Sequence, residues 1–175
     1  GATLAARRLE YQIGLAVSSD GGETFRRRGR RPIIARGALG EWDGGGAVFP
    51  VVIYESGESD PERRWKMWYR GSDETRRQRV GLATSADGRK WTKFAGNPVL
   101  PNAGDDGGNT STSPHAIVRK GPRYFLFTSR ADGMNLATAS NAEGPYEESH
   151  LNPILPPRLH AVQPLTRDAQ RGEHV

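Results

Sequence analysis

The sequence lacks cysteine altogether and contains only two methionines. Because no thiol is present, disulfide frameworks and thiolate metal sites are excluded. No apolar run approaches the roughly 18 residues that a membrane-spanning helix needs, and no signal-peptide core is recognisable. We therefore expect no membrane partner.

Signatures of nucleotide, cofactor and metal chemistry are also missing. The sequence has no phosphate-binding loop, no dinucleotide fingerprint and no Ser-x-Gly nucleophile elbow. Its four histidines are not spaced with carboxylates as metal ligands usually are. We expect neither a cofactor nor a metal ion.

Lysine is scarce as well: only four of the 25 basic residues are lysines, and the net charge is +5. The many arginines fall in short clusters along the whole chain, in predicted turns and outer strands. A nucleic-acid surface would gather them on one face and interleave them with aromatic residues. Dispersed clusters are typical of a solvated surface, so we expect no nucleic-acid partner.

Turn-forming residues, by contrast, are abundant, with 22 glycines and 12 prolines, and they disfavour long helices. The sequence also repeats itself. Three segments begin alike: Leu82 follows Leu15 by 67 positions, and Leu136 follows Leu82 by 54. Each unit closes on a proline followed by aliphatic residues. A period of 50 to 70 residues is typical of β-propeller blades; the closing prolines are Pro32, Pro98 and Pro153.

Alternating β-branched and aromatic residues place four strands in each unit. The sequence therefore predicts an all-β fold, a β-propeller of four-stranded antiparallel blades, with about two and a half to three blades. We expect an N-terminal extension over 1–10, a partial propeller over 11–163 and a tail over 164–175. The predicted strands are 48–54, 65–70, 79–85 and 90–94 in one blade, and 115–119, 124–129, 134–138 and 146–148 in the next.

Asp-Gly pairs mark the hairpins, where the backbone needs positive φ. In the first unit the segment 18–25 also follows the Asp-box pattern Ser-x-Asp-x-Gly-x-Thr-Phe. Serine and aspartate side chains in such a box hydrogen-bond the hairpin backbone. We expect this box to have a structural role.

Fewer than three blades cannot close a ring, which needs about four or more. Open sheet edges are avoided by natural proteins. We therefore expect the protein to be either half of a larger propeller or one partner of a homodimer that completes the ring.

Five segments resemble the five-bladed propeller glycosidases: arabinanases and xylosidases, fructosidases and the related mannoside phosphorylases. The resemblance covers roughly 11–163. The segments are GEWDGGGAVFPVVIYE, RWKMWYRG, RVGLATSADGRKWTKFAGNPVL, SPHAIVRKGPRYFLFTSR and MNLATASNAEGPYEE.

The resemblance implies an active site in the central cavity, lined by the inner strands and containing three acidic residues. Two carboxylates on opposite sides of the glycosidic bond carry such chemistry. This sequence departs from the pattern at all three positions. Phe49 stands where an aspartate commonly precedes the proline, Thr112 stands in place of a glutamate, and Gln163 stands in place of the glutamate after His160.

Other residues near the predicted cavity are candidates for the missing chemistry. Asp43 and Asp106 precede glycine runs at matching places and are our catalytic candidates, as displaced acids or sugar-hydroxyl acceptors; the alternative is a turn-forming role. Trp42 is a candidate for stacking on a sugar, and His115 for binding a sugar hydroxyl or packing as a core histidine. Thr112, His160 and Gln163 complete the substrate-binding candidates.

Three functions follow from these observations. The first is a carbohydrate-handling propeller that binds an oligosaccharide or glycoside in an axial pocket, with catalysis doubtful because the expected carboxylates are replaced. The second is an active glycoside hydrolase or phosphorylase whose site a second copy completes. The third is a non-catalytic scaffold for protein assembly.

Overall fold

The structure is a computed structural model that describes residues 11–100 and 112–156. These residues form ten β-strands and one short 3₁₀ helix, and none of their helices is long and apolar enough to cross a membrane. The strands are β1 (Ala16–Val17), β2 (Arg26–Arg27), β3 (Gly46–Tyr54), β4 (Trp65–Ser72), β5 (Gln78–Ser85), β6 (Thr92–Lys93), β7 (Ser113–Lys120), β8 (Arg123–Arg130), β9 (Gly133–Ala139) and β10 (Glu147–Glu148).

The strands form two four-stranded antiparallel sheets and one two-stranded sheet. Each four-stranded sheet follows the sequence order, so it is an up-and-down blade: blade one is β3-β4-β5-β6 and blade two is β7-β8-β9-β10. The two-stranded sheet β1-β2 is the outer part of one further repeat unit. Because this unit precedes both blades in the sequence, we call it the first unit. The predicted fold class is confirmed, and the inner strands are β3 and β7.

The sequence repeat has a direct structural counterpart. In every unit the second residue after the closing proline pairs with a residue at or near the start of the third strand, through an antiparallel bridge. The same contact therefore recurs three times at the repeat spacing, which confirms the repeat. The bridges join Ile13 to Ile34, Val80 to Leu100 and Met134 to Leu155.

In both complete blades the asparagine before the closing proline hydrogen-bonds the backbone of the third strand. The Asn97 amide accepts a hydrogen bond from the Leu82 backbone N–H at 2.8 Å and donates to the Leu82 carbonyl at 2.9 Å. Asn152 makes the same pair of bonds with Leu136, at 2.9 and 3.0 Å. The side-chain amide thus substitutes for one residue of a neighbouring strand.

Blade one is buried on both faces, as the alternation along β4 requires. Trp68 lies on the face toward blade two, where it packs with Tyr124 and Leu126. Its neighbours Met67 and Tyr69 lie on the opposite face, in a cluster with residues of the first unit. Both Trp68 and Tyr69 are fully buried.

The Asp-box side chains hold their hairpin as expected. The Asp20 carboxylate accepts from the Ser18 hydroxyl at 2.6 Å and from the Thr24 backbone N–H at 3.0 Å. In blade one Asp87 accepts from the backbone N–H of Lys90 at 2.9 Å and from that of the residue before it at 2.8 Å. These hydrogen bonds lower the pKa of both aspartates, with the largest contribution from Ser18 for Asp20 and from Lys90 for Asp87.

Candidate functional site

Both inner strands are interrupted near their beginnings. The pairing register shifts between Val48 and Val51 in β3 and between Pro114 and Ala116 in β7, so each strand carries an irregularity of the bulge type. Bulges re-aim side chains and are frequent next to active sites. We therefore expect functional side chains near the beginnings of both inner strands.

Phe49 lies within the β3 irregularity and has an unusual backbone. Its φ is +52°, in the left-handed region that a bulky side chain rarely adopts. The residue is 53 % exposed, although it belongs to an inner strand. A strained residue that presents an aromatic face to solvent is a candidate for ligand contact.

Arg70 connects this aromatic residue to blade two. It pairs with Val48 across the β3–β4 ladder, and its guanidinium carbon lies 4.4 Å from the centre of the Phe49 ring. Its Nη1 donates to the Ser113 hydroxyl, at the start of β7, at 3.0 Å. We call the group of Phe49, Arg70 and Ser113 the axial junction.

The Arg70 guanidinium is only partly satisfied within the described part of the protein. Its Nε is buried without a hydrogen-bond partner there, and no carboxylate of the described residues forms an ion pair with it. Burial lowers the pKa of Arg70, because water is removed from the charged group. The axial junction therefore offers a desolvated cation, a hydroxyl and an aromatic face.

Two of the predicted binding residues lie beside this group in the sequence. Thr112 is fully buried and is engaged in contacts of its own. His115 is exposed in the β7 irregularity, with its Nε2 2.8 Å from the Ser129 hydroxyl. Their roles in substrate binding stay predictions.

Asp43 and Trp42 lie in the loop before β3 and contact the face of blade one that is turned toward the first unit. Asp43 is 1 % exposed, and its carboxylate accepts from Tyr69 at 3.1 Å and from the Lys93 ammonium at 2.7 Å. Trp42 packs over Gly71, where a Cβ would come within 2.2 Å of its ring. These contacts describe a structural ion pair and a packed indole, and the catalytic assignment of Asp43 stays a prediction.

The remaining candidates lie outside the described residues. They are Asp106, His160 and Gln163, and the predicted boundaries of the N-terminal extension and the tail also lie there.

The opposite end of the same blade interface holds a second charged cluster. Lys66 is 1 % exposed, and its ammonium donates to Glu55 at 2.7 Å, to Glu58 at 2.9 Å and to the Arg63 carbonyl at 2.8 Å. Tyr124 of blade two donates to the Glu55 carboxylate at 2.8 Å. We call Lys66, Glu55, Glu58 and Tyr124 the lysine network.

Within the lysine network every charge has a partner of opposite sign. The hydrogen bond from Lys66 is the main cause that lowers the pKa of Glu58. Burial raises the pKa of Tyr124, so its hydroxyl stays a donor to Glu55. This cluster joins the two blades and has the geometry of a structural site.

Two cavities lie outside the axial junction in the described residues. One, of about 390 Å³, is apolar and lies between the first unit and blade one, against Leu15, Met67 and Trp91. The other, of about 340 Å³, borders Glu55 and Arg119 beside the lysine network. Among the described ranges, no group of three His, Cys, Asp or Glu residues is placed to hold a metal ion.

Arg70 and Ser113 are not among the site residues predicted from the sequence. A signal for Arg70 was available, because a strand with period two places it on the same face as Trp68, against the next blade. An arginine on a face otherwise packed with aromatic residues is unusual and marks a special environment. The partner Ser113 could not be found this way, since it lies 43 positions after Arg70 in the sequence.

No protein-family model and no curated protein sequence matches this protein. Solved structures do match. A protein described as a "Glycoside hydrolase" has 23% identity and a TM-score of 0.61, and the match covers 78% of this protein and 42% of that one. Zg3597, a family 117 glycoside hydrolase from the marine bacterium Zobellia galactanivorans, has 21% identity, a TM-score of 0.64 and coverages of 81% and 42%.

A third solved structure, described as a complex of BT0996 and RGII, has 23% identity and a TM-score of 0.60, with coverages of 78% and 42%. The protein thus spans about 42% of the length of each of these three structures. At this identity the likeness shows the fold alone: the described residues share the blade architecture of these structures. The resemblance stated from the sequence is confirmed for the fold.

Proposed function

We propose that this protein is a carbohydrate-binding propeller that holds a glycan at the axial junction, on a fold shared with glycoside hydrolases. The observation that carries the proposal is the exposed Phe49 ring beside the Arg70 guanidinium, which donates to the Ser113 hydroxyl. Sugar-binding sites combine an apolar surface for the ring face with a few polar groups that fix its hydroxyls. The axial junction supplies both.

Binding without hydrolysis fits the residues at the expected acid positions. Neither Phe49 nor Thr112 can take up or release a proton at neutral pH, so neither can act as a general acid or base. An aromatic ring and a hydroxyl group can still contact a sugar. The substitutions therefore remove proton transfer while keeping groups suited to binding.

A panel of arabino-, xylo-, fructo- and manno-oligosaccharides tests the proposal by thermal unfolding. A ligand that binds only the folded state raises the unfolding midpoint. We expect at least one oligosaccharide to raise the midpoint of the wild type and not that of Phe49→Ala. Equal shifts in both proteins would place binding elsewhere, and no shift with any sugar would favour the scaffold function.

Hydrolysis or phosphorolysis completed by a second copy is the second candidate. It is favoured by the glycoside hydrolases that share the fold and by the part of their length that this protein does not span. We propose Asp43 and Asp106 as the carboxylates in that case. The test is nitrophenol release from aryl furanosides, xylosides and mannosides, lost in Asp43→Asn or Asp106→Asn.

Loss of turnover in Asp43→Asn needs a matched control, since this variant also breaks the ion pair with Lys93. Lys93→Met breaks the same pair and leaves the carboxylate in place. If Asp43 is catalytic, Lys93→Met keeps turnover while Asp43→Asn abolishes it. Equal losses in the two variants would show that the pair is structural.

A homodimer that completes the ring is the assembly we propose. The described residues hold two complete blades and two strands of a further unit, and the β1 edge toward the apolar cavity is unpaired in these residues. Light scattering on a sizing column gives the particle mass. A dimer supports a pocket shared by two copies, and a stable monomer at working concentration contradicts it.

A further inference from the structure

Arg70 has more hydrogen-bonding capacity than the described residues use. A guanidinium carries five N–H donors. In the described part of the protein one donor atom, Nη1, bonds a neutral hydroxyl, that of Ser113. The buried Nε finds no acceptor among these residues, and the contact with Phe49 is a cation–π contact, with the guanidinium carbon 4.4 Å from the ring centre.

A cation removed from water without an anionic partner is costly, and proteins rarely keep one without a reason. Other cations near the blade interface do have carboxylate partners. Arg79, one strand away on β5, pairs with Asp73 at 3.3 Å, and Lys66 pairs with two carboxylates. Arg70 differs from both, since no carboxylate within 11–100 or 112–156 pairs with it.

We propose that the axial junction selects glycans that carry a carboxylate, and that Arg70 supplies the counter-charge. This inference rests on the proposed function, because it names the class of sugar that the same site binds. The ligand carboxylate takes the place of the anion that the described residues do not provide. Phe49 holds the sugar ring beside it.

A carboxylate fits the geometry better than a neutral hydroxyl. Charge-assisted hydrogen bonds are about twice as strong as neutral ones, and the planar guanidinium matches a planar carboxylate. A sulfate ester offers the same charge in a tetrahedral group. The experiment therefore includes both anions.

The test is calorimetric titration with three matched probes: oligogalacturonides, the same oligosaccharides after methyl esterification, and a sulfated neutral oligosaccharide. We expect the wild type to bind the free acid about tenfold or more tightly than the ester, as an ionic hydrogen bond implies. Arg70→Met should remove this preference, so that the variant binds the free acid and the ester with similar affinity. Arg70→Lys, which keeps the charge and loses the planar fork, should keep part of it.

Each outcome decides a different point. Equal affinity of the wild type for acid and ester overturns the inference and leaves the proposed function standing. Tighter binding of the sulfated probe than of the acid also overturns it. No binding of any probe, together with no shift in the neutral panel, overturns the proposed function itself.

The unfolding midpoints of the Arg70 variants distinguish a ligand-binding arginine from a structural one, because the two roles predict opposite changes. If Arg70 is kept for a ligand, Arg70→Met removes a desolvated charge that lacks a counter-charge, so its unfolding midpoint stays equal to or above that of the wild type. A marked fall of the midpoint in both Arg70→Met and Arg70→Lys would assign Arg70 to the fold and contradict the inference.

Discussion

Lys66 and Arg70 lie four residues apart on β4, and both reach toward blade two, yet their surroundings differ. Lys66 is almost fully buried and donates to two carboxylates and a carbonyl. Arg70 is half-buried and donates to one neutral hydroxyl in the described residues. Among these residues, one strand therefore carries a satisfied cation at one end of the blade interface and an unsatisfied cation at the other.

From this difference we expect Lys66 to stabilise the fold and Arg70 to serve ligand binding. Removing a buried charge that is fully paired destabilises the fold, because its partners are then left buried without a counter-charge. A desolvated charge without a counter-charge contributes little to the fold and remains available to a ligand. The strained and exposed Phe49 lies at the Arg70 end, which agrees with this division.

The largest expected effect is that of Lys66→Met. This variant leaves Glu55 and Glu58 without their ammonium partner inside the interface, which we expect to cost about 3–5 kcal/mol of the free energy of unfolding. Urea denaturation measures the loss. Arg70→Met is the matched variant, and a similar loss there would erase the distinction between the two ends.

Tyr124→Phe should have the next largest effect. The variant keeps the ring packed against Trp68 but removes the hydroxyl that donates to Glu55. Hydrogen bonds to charged groups are worth about 1.5–3 kcal/mol, and we expect a loss in that range, measured by urea denaturation. Tyr146→Phe, which removes a hydroxyl that accepts from Trp68, is the neutral comparison and should cost less.

Acid should weaken the lysine network. Lys66 lowers the pKa of Glu58 below its ordinary value of 4.5, so the folded state favours the charged carboxylate. The corresponding stability is fully present above about pH 4.5 and is lost as the pH falls through the lowered pKa. The difference in unfolding free energy between wild type and Lys66→Met should therefore shrink below about pH 4.5; a difference independent of pH would contradict this account.

Phe49→Gly should change stability least. Glycine adopts positive φ without strain, which offsets the lost contact with Arg70 and the greater freedom of the unfolded chain, so we expect a net change within about 1 kcal/mol. Glycan binding should nevertheless be lost. Val51→Gly, two residues along the same strand and packed against the core, is the control and should lose more stability.

The fold was predictable because its signals are local and repeated. Alternation and turn residues placed β4 and β5 within two residues of their observed ends, and the third-strand segments recurred at a fixed spacing. The site was less predictable. The contact between Arg70 and Ser113 joins two blades, and the ion pair of Asp43 with Lys93 joins residues 50 apart, so no local pattern reveals either one.

The most direct test of the proposed site is a crystal structure of the protein with the oligosaccharide that shifts its unfolding midpoint most. We expect a sugar ring against the Phe49 side chain, with an oxygen of the ligand within hydrogen-bond distance of the Arg70 guanidinium. A sugar bound elsewhere, for example in the apolar cavity beside Met67 and Trp91, would contradict the account.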